Sequence, residues 1–411
     1  MPVNIIPIFS SGSMKRRVSG IMGRLESTKA RIFTPESFLG EGLKRDKTIR
    51  DQHNYIFVGS GGTEDSIIKF ISKAKLPPPI TLLSHDGDNS LPSAMETRKY
   101  LDQQNMKSRI IHDSLEQLIP RIDEWCQYDS VLEQLQNSRI GIFGNPSSWL
   151  IASDIDRSAV EKKWGVEFKE YPMKTLTEKI EEDLWEEFSP NLEKFLNDAT
   201  NIECKNEEIQ KAAIIAQALS ALVKTHELNA VTVECFKLLE ETEISGCFAV
   251  SHLNNIEGTV AGCEGDLPTT FTMLLGKYLS KQPTFMANVV DVNLDNNSVV
   301  FAHCTVPTTI LESYDITSHF ESNKSVAIRG RFPFRDITVL KIFGKNLTEY
   351  WVSEGVITRN LTKENSCRTQ IRTTLTESVS YFLDNSLANH HVIIPGKHKR
   401  RILDFFDFIK Q

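Results

Sequence analysis

The sequence lacks the features that would place it at once. It has no CxxC pair. Its seven cysteines, Cys126, Cys204, Cys235, Cys247, Cys263, Cys304 and Cys367, are odd in number and scattered, which argues against a disulfide framework and against a structural zinc site. It has no basic excess, with 47 lysines and arginines against 54 acidic residues and a net charge of −7, so no nucleic-acid partner is indicated. It has no apolar run near the roughly 20 residues that a bilayer requires. The stretch 212–223 comes nearest and is broken by Gln217 and Ser220. The opening Met1-Pro2-Val3-Asn4-Ile5-Ile6-Pro7 carries no basic leader of a secretory signal. Internal repeats and low-complexity segments are also missing. The expectation is a cytoplasmic protein with no membrane partner.

What is present is an ordinary globular composition, 40% hydrophobic and 25% charged over 411 residues, enough for two to four domains. Short apolar runs alternate with amphipathic ones from the start. Strands are expected at 5–9, 55–58, 80–84 and 109–111, with helices at 91–104 and from Leu115 to Trp125. Strands alternating with helices argue for βαβ units and a parallel sheet. The pattern resumes at 139–144 and at 230–233. Between them a charged helical stretch opens with Glu178, Glu181, Glu182, Asp183, Glu186 and Glu187, which reads as a solvated helix face. After Asn288 the texture changes to short Val, Ile, Thr and Phe runs such as 298–302, 325–328, 337–342 and 350–352, closed by a helix at 400–409. The architecture expected is α/β: two Rossmann-like α/β domains (1–135 and 136–284, the second with a helical insertion) and a β-rich, barrel-like C-terminal domain (285–411).

Gly59-Ser60-Gly61-Gly62 follows a strand and opens a helix, the context of an anion site. Without a third fingerprint glycine or a P-loop lysine it reads rather as a tight turn at a strand–helix junction. A denser constellation lies between Gly262 and Cys304. Cys263-Glu264-Gly265-Asp266 precedes a helix, Phe285-Met286-Ala287-Asn288 follows it, and Val299 to Cys304 carries His303; Asn389-His390-His391 stands near the C-terminus. A glutamate, an amide oxygen and imidazoles brought together by folding would suit a divalent ion such as manganese.

These segments resemble the family of L-fucose isomerase and L-arabinose isomerase, metal-dependent enzymes that interconvert aldoses and ketoses. The fucose isomerase pattern is a Thr-Glu-Asn-Asp turn, a helix and a Phe-Ala-Asp; Glu264 with Asp266 matches the turn, and position 288 lies 24 residues after Glu264. The arabinose isomerase version, Gly-Glu-Gly-Asp, is matched by Cys263-Glu264-Gly265-Asp266. That family's later histidines are matched by His303 and by His390-His391. The resemblance implies a Mn²⁺ or other divalent ion held by Glu264, Asn288, His303 and His390, with Glu264 and Asp266 as catalytic carboxylates and an ene-diol mechanism on an open-chain sugar. It also implies a homo-oligomer, a trimer or hexamer. The wider family includes isomerases of modified hexoses such as sulfoquinovose. Ser148 and Trp149, at the carboxyl end of a strand, and His391 are candidate sugar contacts.

One departure is chemical. Asn288 stands where the family has a carboxylate, and an amide can offer a carbonyl oxygen but cannot accept a proton at neutral pH. Asp266 or Asp291 could supply a second acid, although Asp266 also suits a helix N-cap, and Asp291, three residues along a strand from Asn288, would face the other side. The alternative function is a non-catalytic or regulatory sugar-binding protein that lost its chemistry through Asn288.

Overall fold

Long β-branched and aromatic runs ending in glycine or asparagine set the strands of this protein, and capped amphipathic segments set its helices. The computed structural model describes residues 3–42, 44, 49, 52–182, 188–256, 259–333 and 335–409. Met1 and Pro2 of the N-terminal segment, and Asp183, Glu186 and Glu187 of the expected acidic face, lie outside the described residues. The chain divides into two compact units, Met1–Leu132 with Leu403–Gln411, and Glu133–Ile402.

The first unit is built on a parallel five-stranded sheet of β1 (Asn4–Ile8), β2 (Arg31–Ile32), β3 (Asn54–Val58), β4 (Ile80–His85) and β5 (Ser108–Asp113), in the order β2-β1-β3-β4-β5. Ile6, Ile56, Val58 and Leu82 of these strands are fully or almost fully buried with Ile67 and Phe70 of the helix Glu64–Ala74. Helices packed on a parallel sheet explain why the strands read as continuous apolar runs.

The second unit starts with β6 (Arg139–Phe143) and β7 (Glu167–Tyr171), continues through the two-residue β8 (Asn201–Ile202), and adds β9 (Ala230–Val233) and β10 (Val260–Cys263). β10, β9, β6 and β7 form a parallel sheet in that order. Strand β7, Glu-Phe-Lys-Glu-Tyr, was not expected: its residues are half-buried or exposed, so it has no apolar run to announce it. β11 (Phe285–Asn293), β12 (Ser298–His303), β13 (Ser313–Thr317), β14 (Ala327–Arg331), β15 (Asp336–Phe343), β16 (Glu349–Leu361), β17 (Thr369–Leu375) and β18 (His391–Pro395) complete the unit. Six of them close into an antiparallel barrel, β11-β12-β17-β16-β15-β18, and β14, β13 and β8 make a small separate sheet. The expected fold class, parallel α/β sheets with a barrel-like C-terminal region, is what the chain adopts. Among the described residues no helix is long and apolar enough to cross a membrane.

Two of these elements position the chemistry. Loops at the carboxyl ends of β6, β9 and β10 converge, where parallel α/β sheets place ligand-binding groups. In the barrel, β11 lies between β12 and β18, with Asn288 opposite Ala302 and Ala287 opposite His391. His303, which follows Ala302, and His390, which precedes His391, therefore flank Asn288.

Candidate metal centre

Glu264 sits in a turn whose backbone is left-handed at two successive residues, with φ of 63° at Glu264 and 69° at Gly265. Only glycine fits at 265, because a Cβ there would come within 2.6 Å of the Asn145 carbonyl oxygen and Pro146. The turn is braced on both sides: Ser147 N donates to Glu264 O at 2.8 Å and Gly265 N to Val233 O at 3.1 Å. Asp266 then caps the helix Leu267–Ser280 by accepting from Thr269 N at 2.9 Å, and Pro268 follows in the first turn, where a missing N–H costs nothing.

Glu264, His303 and His390 each bring one ligand atom to a common point, all within 4.8 Å of one another. Glu264 Oε1 lies 3.7 Å from His390 Nε2. Both imidazoles are buried. His303 Nδ1 meets Thr305 Oγ1 at 2.8 Å, which leaves its Nε2 to ligate. His390 Nδ1 meets Asp266 Oδ2 at 2.8 Å, while its Nε2 is buried with no hydrogen-bond partner. A buried nitrogen left unpaired at the meeting point of a carboxylate and a second imidazole is the arrangement a divalent ion satisfies. The Asp266–His390 contact supplies the carboxylate that orients a metal-bound histidine and sets its tautomer. The residues present fit such an ion.

Asn288 faces the same cavity as Glu264 and His303. Its Oδ1 accepts from Asn389 Nδ2 at 2.5 Å, leaving one lone pair on that oxygen. Asp266 lies elsewhere. It is 1% exposed, and Oδ2 also accepts from Thr269 Oγ1 at 2.8 Å, so both oxygens are engaged and turned from the cavity. Asp291 is on the far side: β11 bulges between Val289 and Asp291, and the carboxylate pairs with Arg372 at 3.6 Å and Lys363 at 3.9 Å.

The candidate sugar contacts divide. Ser148 is exposed, and Trp149, half exposed, donates from Nε1 to Glu264 Oε2 at 2.7 Å while its ring meets Phe236 edge-on. His391 points into the aromatic interior of the barrel. Its Nδ1–H donates to Asn389 O at 3.0 Å and its Nε2 accepts from Tyr381 OH at 3.0 Å, with Trp351 and Phe382 around the ring. Strand alternation puts neighbours on opposite faces, so His390 and His391 cannot share one site.

Sequence reading missed Lys341. It is fully buried on β15 and donates from Nζ to Thr269 Oγ1 at 2.8 Å, so a chain runs from Lys341 through Thr269 and Asp266 to His390. The available signal was a lone charge inside the apolar run Ile337 to Phe343.

The electrostatics follow from this chain. Burial works against the Asp266 carboxylate, but Lys341 and His390 overcome it and hold its carboxyl far below the usual range. Burial likewise opposes ionisation of Glu264, and the nearby His390 and His303 imidazoles, with the hydrogen bond from the Trp149 indole, keep its carboxyl low. Burial would depress His390, yet the hydrogen bond to Asp266 and the Asp266 and Glu264 charges push it up to about 9. Burial first, and then the His390 charge, lowers His303 to about 4. Burial lowers His252 to about 4, and His391 falls to about 3 by burial and then the Lys341 charge.

These opposed shifts give the metal-free protein a stability maximum. His252, His303 and His391 stay neutral in the fold where the unfolded chain takes up protons near pH 6.5, so their contribution is lost as pH falls from 6.5 to about 4. His390 has the reverse sign: its contribution is complete below 6.5 and disappears as pH rises through 9. The melting temperature in a chelating buffer is expected to peak near pH 6.5 and fall on both sides. A flat profile between pH 4 and 6.5, followed by circular dichroism, would contradict the burial of neutral imidazoles.

No protein-family model matches the sequence. The chain is 21% identical over 175 residues to the sulfoquinovose isomerase of Alkalicoccus urumqiensis, a match spanning 42% of this chain and 39% of that protein. It is 20% identical over 176 residues to the sulfoquinovose isomerases of Priestia aryabhattai and Priestia megaterium, with the same shares. The matches thus span about two fifths of the length of these curated relatives.

Proposed function

We propose that this protein is a divalent-metal-dependent aldose–ketose isomerase acting on an open-chain sugar, a modified hexose such as sulfoquinovose among the candidates. The observation that carries the reading is the convergence of Glu264, His303 and His390 around an orphaned, buried imidazole nitrogen. The distant likeness to proteins named sulfoquinovose isomerase supports it. Manganese suits a set of two imidazoles, one carboxylate and an amide carbonyl.

When bound, the ion would act as a Lewis acid that polarises the sugar carbonyl and makes the neighbouring C–H acidic. Glu264, His303 and His390 would hold it, with Asn288 offering its carbonyl oxygen. Two carboxylates line the cavity; Glu321 is paired with His319 at 3.0 Å, and Glu264 is the one beside the two imidazoles, so proton removal from the carbon beside the carbonyl, and its return to the adjacent carbon, fall to Glu264 Oε2. Trp149 donates to that oxygen in the structure and must release it; half exposed, its ring is free to swing and cover the apolar face of a sugar. Asp266 stays ionised and holds His390 in the tautomer that presents Nε2.

The test is conversion of aldoses to ketoses by the purified protein, first stripped of metal and then supplied with Mn²⁺. Ketose formation that depends on Mn²⁺ is expected. The amide at 288, in place of a second carboxylate, favours one rival, the non-catalytic sugar binder; calorimetry showing sugar binding without turnover in any divalent metal would establish that rival instead.

A further inference from the structure

Five of the seven cysteines, Cys235, Cys247, Cys263, Cys304 and Cys367, line the same cavity as Glu264 and His303. Cys247, Cys304 and Cys367 pack together, and Cys235 and Cys263 form a separate pair. Cys235 and Cys263 place their sulfurs 2.7 Å apart, closer than van der Waals contact allows for unbonded sulfurs, while both are free thiols. Neighbouring strands bring them together. Cys263 ends β10, Cys235 opens the helix that follows β9, and Cys263 pairs in register with Val233, two residues before Cys235.

Cys263 is bonded through the backbone to Glu264, so the thiol pair is joined to the metal centre without an intervening residue. We propose that Cys235 and Cys263 are a reversible disulfide site whose formation withdraws Glu264 and weakens metal holding; the second half rests on the isomerase reading above. A thiolate of one cysteine attacks a peroxide oxygen, forming a sulfenic acid and releasing water from the other oxygen. The second sulfur displaces that hydroxyl as a second water and forms the S–S bond. Two thiols and one peroxide thus give one disulfide and two waters, with the sulfurs oxidised and the peroxide reduced. A small-molecule dithiol reverses the step by exchange.

Geometry decides the consequence. A disulfide fixes the S–S length near ~2.05 Å and the Cβ–S–S–Cβ dihedral near ~90°, so bonding draws the Cys263 side chain, and the residue joined to it, toward Cys235. The backbone of the turn is tied at Glu264 O and Gly265 N to Ser147 and Val233 and blocked at Gly265 by Pro146, so a pull at Cys263 acts on the torsions of Glu264, the residue between the new bond and these ties. The displacement is therefore passed to the Glu264 side chain and to its hydrogen bond with Trp149.

The experiment treats the purified full chain with hydrogen peroxide, blocks remaining thiols and maps peptides by mass spectrometry. Mn²⁺ binding by calorimetry and tryptophan emission are followed on the same samples. The expected result is a linked Cys235–Cys263 peptide two hydrogens lighter, an Mn²⁺ dissociation constant raised at least ~10-fold, and an emission change that is absent from Trp149→Phe protein. Dithiothreitol should reverse all three. Cys235→Ser protein should keep its Mn²⁺ affinity through the same treatment. A peptide map without that link once free thiols are consumed would overturn the proposal, as would a linked peptide with Mn²⁺ affinity and Trp149 emission unchanged, or equal loss of affinity in Cys235→Ser. If the reduced protein binds no Mn²⁺, the isomerase reading fails, and the linked peptide with the Trp149 emission still decides the switch.

Discussion

Glu264→Gln is expected to reduce turnover by about 10²–10⁴-fold at saturating Mn²⁺, the range that a positioned general base contributes. Glutamine keeps the shape of the side chain and one carbonyl oxygen, which serves either the ion or Trp149 Nε1, the other position becoming an NH2 donor. It removes the ionised oxygen, and among the described residues the other carboxylates are occupied: Asn288 is an amide, Asp266 is engaged by Thr269 and His390, Asp291 is paired with Arg372 and Lys363, and Glu321, which also lines the cavity, is paired with His319 at 3.0 Å. The Mn²⁺ dissociation constant should also rise, because a charged ligand has become neutral. Steady-state kinetics across a Mn²⁺ titration separates the two effects. Turnover unaffected at saturating metal would show that the proton moves through another group.

Asp266→Asn is expected to destabilise the protein by about 3–5 kcal/mol, the cost of leaving one member of a buried charge pair alone. Lys341 is fully buried, burial lowers its affinity for a proton, and Asp266 is the charge that opposes this loss. Asparagine is as good an N-cap as aspartate, so loss of the helix cap does not account for the change. The same variant loses the carboxylate behind His390, and Mn²⁺ affinity should fall about 10–100-fold. Urea denaturation of Asp266→Asn, Lys341→Met and the double variant gives the coupling directly. Much of the loss should be recovered in the double variant, and strictly additive losses would show that the two charges do not interact.

The elements were legible where one physical signal dominated. β9 begins and ends at Ala230 and Val233 as expected, the four expected strands of the first sheet fall within two residues of their expected bounds, and the two-residue β2 was not expected. β7 was invisible because a strand at the edge of its sheet, half covered, carries no apolar pattern. β16 was read as three residues around Trp351 and runs for 13, since its exposed alternate positions interrupt the hydrophobic run while the barrel still pairs its backbone on both sides.

The sequence by itself determined the class of fold, through its change of periodicity near residue 285, and the residue types able to hold an ion. Glu264, His303 and His390 were nominated by the resemblance to the fucose and arabinose isomerases rather than by spacing, since 126 positions separate the first from the last. Which carboxylate faces the cavity was decided only by tertiary structure. Glu264 and Asp266 are two residues apart, yet the left-handed turn at 264 and 265 sends one toward the two imidazoles and buries the other against Lys341 and His390. The resemblance gives His390 the ligand role and His391 a sugar contact. Their roles separate because β18 closes the barrel with one side chain at its rim and the next in its aromatic interior, and a closed sheet leaves adjacent residues no common side.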